Sequence, residues 1–206
     1  MEIMTLPLTD ISDAVAHFAQ GGMALLLDDP GREGEADLLQ AAEFCTGESL
    51  NFMIREARGL TTVALDAARL EALDIPLIEP RHAPRHAPRF TVPVDYTPAV
   101  TTGISAFYRA ATIHALLDPQ ARPEDFAQPG HVFPLAAHVG GPGERGGHTE
   151  GAIGLSMLAG LYPAVVMCEL MDVDGHMADV PAVLAFGELH GIPVITVAQV
   201  AAALPS

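Results

Sequence analysis

The sequence predicts one layered domain in which helices cover a central sheet. Three observations carry this expectation. Short apolar runs with strand character alternate along the chain with stretches of helical periodicity. No shift in composition divides the chain. Its 206 residues, half of them hydrophobic, supply one substantial core and are too few for two comfortable ones.

The elements follow in order. Asp10 to Gln20 has helical spacing, with Thr9 or Ser12 as candidate caps and Gly21-Gly22 as a stop. Met23 to Asp28 is a short apolar run after a glycine pair and predicts a buried strand, and Asp37 to Glu43 can return as a second. Glu48 to Ala57 predicts a helix ending before Gly59, Thr61 to Leu65 a strand, and Ala67 to Leu73 a helix. The doubled tetrapeptide RHAPRHAP, Arg81 to Pro88, has proline every fourth residue, which forbids a regular ladder, so it predicts a loop. Its His82 and His86 have no evident further metal ligand nearby. Phe90 to Asp95 alternates like a strand, Ser105 to Leu117 is an amphipathic helix, and His131 to Ala137 is strand-like. Thr149 to Leu161 predicts a helix rich in small residues, Ala164 to Leu170 a buried strand, Val180 to His190 a helix and Pro193 to Val197 a strand before a helical tail. The connections are too irregular to yield the strand order.

Charge narrows the function. The formal net charge is −16, so a nucleic acid or an anionic membrane surface is repelled on average. All ten basic residues are arginine. The absence of lysine removes Schiff-base aldolase, pyridoxal-phosphate and Walker A chemistry, and any phosphate must be held by arginine, backbone N–H groups and hydroxyls. Two cysteines, Cys45 and Cys168, make no disulfide framework and fit reduced thiols in a cytoplasmic protein. MEIMTLPLTD lacks the basic and apolar regions of a signal peptide, and no run reaches the ~18 apolar residues of a membrane span.

Two segments can carry chemistry. LLLDDPGREGEADL crowds Asp28, Asp29, Glu33, Glu35 and Asp37 around Arg32. The pattern fits either a solvated acidic hairpin or a hard-cation site for Mg²⁺, whose neighbouring carboxylates raise each other's pKa and can serve as bases. HVGGPGERGGHTEGAIGL places Arg145, Gly146, Gly147 and His148 just ahead of a helix with Thr149 at its expected cap. It fits either a capped glycine hairpin or an anion site built from helix-start N–H groups, the helix dipole and an arginine fork.

Smaller signals stand beside these. TTGISAFYRA offers Ser105 as a helix cap or a second anion turn. His131 after Gly130 fits a structural residue or a proton shuttle. Glu169 closes an apolar run, where a carboxylate is costly unless paired. Cys168 reads as core, and Asp172, Asp174 and Gly175 as a turn.

DDPGREGEADL, TVPVDYTPAVTTGIS, RPEDFAQPGHVFPL, RGGHTEGAIGLSMLAGL and PAVVMCEL together resemble, in order and spacing, the 3,4-dihydroxy-2-butanone 4-phosphate synthase family, from about Leu25 to Val197. The resemblance implies a single three-layer α+β domain over residues 1–206, with helices on both faces of a mixed central sheet. It implies a cytoplasmic homodimer with sites shared between subunits, acting on a small-molecule sugar phosphate in riboflavin biosynthesis. It implies Mg²⁺ (or Mn²⁺) at Glu33 and His148. Substrate contacts are implied from Arg32, Glu33, Asp37, Arg145, Gly146, Gly147, His148, Thr149 and Glu169, and catalysis from His131 and Glu169. In that reaction D-ribulose 5-phosphate is enolised, dehydrated, rearranged and deformylated to L-3,4-dihydroxy-2-butanone 4-phosphate and formate. Base work is then expected of Glu35, Asp28 and His131, with Glu169 assisting the later steps. The sequence departs from the family's usual pattern at Gly34, Ala36, Thr62, Tyr108 and Gly154. A paralogue acting on a related sugar phosphate, or a phosphate-binding homologue without catalysis, is the alternative.

Overall fold

The computed structural model describes residues 7–28, 34–81, 88–99, 101–137 and 147–205. Strands β1 (Ala24–Leu27), β2 (Ala36–Ala41), β3 (Thr62–Leu65), β4 (Val94–Tyr96), β5 (Phe126–Ala136), β6 (Val165–Glu169) and β7 (Val194–Thr196) form one sheet of order β4-β5-β3-β6-β2-β1-β7. The β1–β7 and β3–β5 pairs are parallel and the others antiparallel, so the sheet is mixed.

Helices cover both faces. On one lie α1 (Ile11–Ala19), α5 (His148–Leu158) and α7 (Val197–Ala203); on the other lie α2 (Gly47–Phe52), α3 (Ala67–Ala72), α4 (Ala106–Leu117) and α6 (Val180–His190). The two-residue period of each strand sorts its side chains between these cores. Ala24, Leu26, Leu39, Ala41, Ala64, Val165 and Met167 pack toward α1, α5 and α7, while Leu25, Leu27, Leu38, Val63, Val166 and Cys168 pack toward the other helices. The expected three-layer α+β arrangement is therefore present, and it requires strands that are apolar on both sides.

Several boundaries differ from the sequence reading. The cap of α1 is Asp10, whose Oδ1 accepts the Ser12 N–H at 2.8 Å; neither Thr9 nor Ser12 caps the helix. Thr9 instead pairs with the edge of β7, donating its N–H to Val194 O at 2.8 Å. The helix beginning at Gly47 passes into a π-helical turn, Met53–Ala57, and ends at Arg58 with φ 69°. Phe90 to Asp95 is not one strand. Phe90 and Thr91 make isolated bridges, Pro93 has no N–H to continue the ladder, and β4 starts at Val94. Strand β5 begins five residues ahead of His131, at Phe126. Ser105 caps α4 as expected, accepting the Tyr108 N–H at 3.1 Å. The turn at Asp172 is also as expected, with Oδ1 accepting the N–H groups of Asp174 and His176. His82 and His86 lie outside the described residues.

Candidate active site

Strand parity gathers the chemistry. Asp28, Asp37 and Glu169 share the parity of Leu26, Leu39 and Met167, so all three carboxylates belong to the α5 face of the sheet. Strand direction brings them to one end. β1 runs toward Asp28, the antiparallel β2 starts beside it, and β6 ends with Glu169 opposite Asp37. The Asp28 N–H donates to Glu35 O at 3.0 Å and closes the acidic segment as a hairpin stem.

The first turn of α5 completes this end. A Cβ on Gly151 would press on Leu26 and Val197, so glycine there lets the start of the helix sit tightly over β1. His148, its first residue, then lies with Nε2 3.6 Å from Asp28 Oδ1, the histidine side chain 11% exposed and the aspartate side chain fully buried. Thr149, expected as the helix cap, is instead buried inside the first turn. Gly147 is the cap and contributes no side-chain bond. The Thr149 N–H is thus one of the helix-start donors that have no partner within the helix.

Burial perturbs this cluster. The Asp37 carboxyl is pushed up to about 6, first by burial and then by the like charges of Glu169, Glu35 and Asp28, with His148 opposing them. Among the described residues, Asp37 Oδ1 and His148 Nε2 are buried without a hydrogen-bond partner. Glu169 is anchored, its Oε2 accepting the Leu60 N–H at 2.8 Å. Gly59 makes that anchor possible, because a Cβ there would collide with both the backbone and the carboxylate of Glu169.

His131 belongs to the same face, since Val132 and Ala136 of β5 point into the opposite core. Carried two residues past β3, the registers Thr62↔Met167 and Thr62↔Phe133 set His131 on a level with Glu169, two strand spacings or about 10 Å away. His131 is paired: its N–H donates to Asp95 Oδ1 at 2.9 Å, and its Nδ1 lies 2.6 Å from Asp95 Oδ2.

The structure thus brings together Asp28, Asp37, His148, Thr149 and Glu169, with Glu35 at the hairpin stem and His131 further along the sheet. Arg32, Glu33, Arg145 and Gly146 lie outside the described residues. Among the described residues, no three His, Cys, Asp or Glu side chains converge as a metal cluster. Sequence reasoning missed Gly59, the Leu60 N–H and Asp95. Asp95 was visible only as an acid closing an alternating run, and nothing local joins it to a histidine 36 positions on.

The departures from the family pattern have visible settings. Gly34 has φ 73°, the left-handed region that asparagine and aspartate also tolerate. Beside Tyr108, Arg109 donates from Nη1 to Thr61 Oγ1 at 2.7 Å, while its Nε is buried without a partner among the described residues. Cys45 and Cys168 are buried and free, their thiols pushed up to about 11 and about 12 by burial, as inert core residues are.

Comparison with known proteins identifies the family and the fold. The sequence profile of the 3,4-dihydroxy-2-butanone 4-phosphate synthase family matches residues 12–203. The synthase of Agrobacterium fabrum is 45% identical over 192 residues, which span 93% of this chain and 90% of that protein. The riboflavin biosynthesis protein RibBA of Aquifex aeolicus is 46% identical, and the match covers 92% of this chain but only 47% of that longer protein. A crystal structure of a synthase in complex with two magnesium ions superimposes with a TM-score of 0.86 at 39% identity, covering 93% of this chain and 94% of that one. The synthase of Candida albicans gives a TM-score of 0.88 at 37% identity, covering 98% of this chain and all of that one.

The chain belongs to the 3,4-dihydroxy-2-butanone 4-phosphate synthase family. It is a lyase of riboflavin biosynthesis, and the family's reaction is the conversion of D-ribulose 5-phosphate to L-3,4-dihydroxy-2-butanone 4-phosphate and formate.

Proposed function

We propose that the chain carries out this reaction at the end of the sheet framed by Asp28, Asp37, Glu169 and His148, with Mg²⁺ (or Mn²⁺) as cofactor. The observation that carries the reading is a pair of buried atoms, Asp37 Oδ1 and His148 Nε2, that have no hydrogen-bond partner among the described residues and lie beside the Asp28 carboxylate at the crowded end of the sheet. Unpartnered buried polar atoms are costly, and a hard cation or a hydroxylated substrate would satisfy them. These groups fit the metal. His148 would hold it with Glu33, and it would supply Lewis-acid stabilisation of charge developing on substrate oxygens.

The residues of the chain divide the remaining work. Phosphate is received by Arg145, Gly146, Gly147 and Thr149, where helix-start N–H groups and the helix dipole favour an anion. Arg32, Glu33, Asp37, His148 and Glu169 hold the sugar hydroxyls and keep the reacting carbons in register with the bases. His131, Glu35 and Asp28 exchange the protons of enolisation and dehydration, a role worth about 10²–10⁴-fold for each group. Glu169, fixed through Oε2, serves the later proton transfers and the release of formate.

The chain acts as a single domain over residues 1–206, supported by its one seven-stranded sheet. It works in the cytoplasm as a homodimer with sites shared between subunits. The exposed apolar side chains Ile104 and Phe107, 56% and 61% accessible and next to the loop at Gly103 that packs on His131, support an interface there. Among the described residues no helix is long and apolar enough to cross a membrane.

The test is formate release from ribulose 5-phosphate with Mg²⁺ and with EDTA, alongside Glu33→Ala and His148→Ala. Metal-dependent formate that is lost in both variants is the expected result. Folded, Mg²⁺-supplied protein that releases none overturns the reading in favour of a paralogous substrate or a silent homologue.

A further inference from the structure

Resting on the reading of His131 as a proton-transfer residue, we infer that Asp95 is its positioning residue, holding the imidazole as the Nδ1–H tautomer with Nε2 as the atom that meets substrate. One carboxylate takes two bonds from one residue. Oδ1 accepts the backbone N–H of His131 at 2.9 Å, and Oδ2 lies 2.6 Å from ring Nδ1. The main chain and the ring are therefore both referred to the same rigid group, which removes rotational freedom from the imidazole. An ionised carboxylate has no proton to give, so the shared proton sits on Nδ1 and the Nε2 lone pair is left as the base.

The surroundings are built for this contact. The Asp95 side chain is 12% exposed, whereas the His131 side chain is 43% exposed, so the anchor is largely buried and the ring is open. Gly103, at φ 77°, covers the junction so closely that a Cβ would run into both Asp95 Oδ2 and His131 Nδ1. Gly130 lets β5 approach β4 where any side chain would meet the backbone of Val94 and Asp95. Two glycines from separate segments thus close over the pair, and the close approach has a cost that a plain strand cap does not need.

The consequence reaches the reaction by way of the tautomer. Asparagine at 95 is isosteric. Its Oδ1 keeps the backbone bond, but its amide nitrogen is a donor facing Nδ1, which must then become the acceptor and send the proton to Nε2. The side chain stays in place while the base lone pair is lost, as happens when the carboxylate orienting a catalytic histidine is amidated.

Two measurements test this. In the wild-type protein, ¹⁵N chemical shifts of His131, assigned with a His131→Ala control, are expected to show the Nδ1–H tautomer; a neutral Nε2–H tautomer overturns the inference without any variant at position 95. In Asp95→Asn, checked for a cooperative thermal transition, the tautomer is expected to switch and kcat to fall about 10²–10⁴-fold, with KM within roughly threefold. A kcat within roughly threefold of wild type overturns the positioning role. Formate release that survives His131→Ala instead overturns the role of His131 itself, and with it the catalytic part of the inference. An inactive His131→Ala beside an active Asp95→Asn confines the failure to Asp95.

Discussion

Asp37 and Glu169 stand directly opposite each other in the antiparallel pair of β2 and β6, two carboxylates on the same face of the sheet at its crowded end. Directly paired residues of an antiparallel ladder have Cα atoms about 4.5–5.5 Å apart. Like charges so placed, in a buried setting, oppose folding while they hold the site.

The first prediction follows from the burial of Asp37, to which the like charges add. Burial pushes the Asp37 carboxyl up to about 6 from its ordinary value of 3.8. A raised carboxyl pKa means that its favourable contribution to stability is complete below about pH 4 and is lost as pH rises through 6. In EDTA, Asp37→Asn is therefore expected to melt above wild type at pH 8, by an amount on the order of 1–3 kcal/mol, and the two are expected to converge toward pH 4. Thermal unfolding at pH 5 to 8 measures the gap. A gap that does not widen with pH contradicts a buried Asp37 carboxyl whose ionised form is disfavoured. Formate release by the same variant is expected to be lost.

Gly59 carries a second. With Glu169 in the position a Cβ would need, Gly59→Ala is expected to cost about 1–3 kcal/mol in urea unfolding and to lower kcat at least tenfold by displacing Glu169. An alanine variant as stable and active as wild type would show that the Leu60–Glu169 bond is dispensable.

At Gly34 the issue is backbone conformation rather than space, since a Cβ there would meet nothing within 4 Å and φ is 73°. Gly34→Asn is expected to stay within about 0.5 kcal/mol of wild type, and Gly34→Val to cost about 1–2 kcal/mol. Comparing their melting midpoints decides whether the left-handed conformation governs this position.

Metal dependence should also appear in stability. Mg²⁺ at about a hundred times its Kd adds roughly 2.7 kcal/mol to a protein that binds it only when folded, a rise of about 5–10 °C in midpoint for a chain of this size. His148→Ala is expected to lose that rise while keeping a cooperative transition. An undiminished Mg²⁺ shift in the variant would remove His148 from the metal site.

Much of the architecture was already determined by sequence. The short apolar runs at Met23 to Asp28 and Ala164 to Leu170 read as buried strands, and their interleaving with helical stretches predicted helices covering a central sheet. Glycines marked places where the backbone needs unusual freedom, as at Gly21 after α1 and Gly34 in the hairpin, both with positive φ. The chemistry of the acidic and glycine-rich segments followed from residue type. Asp28, Asp37 and Glu169 also carried their parity in the sequence, since each continues the alternation of its own apolar run. What parity could not say is which strands are neighbours. Only the folded sheet sets β6 beside β2 and so Glu169 against Asp37, only the packing of α5 lowers His148 onto Asp28, and only β4 against β5 joins Asp95 to His131. Local propensity and alternation act over a few residues and are written in the chain. Pairings between residues tens to more than a hundred positions apart come from burying two apolar faces at once, which is a property of the whole fold.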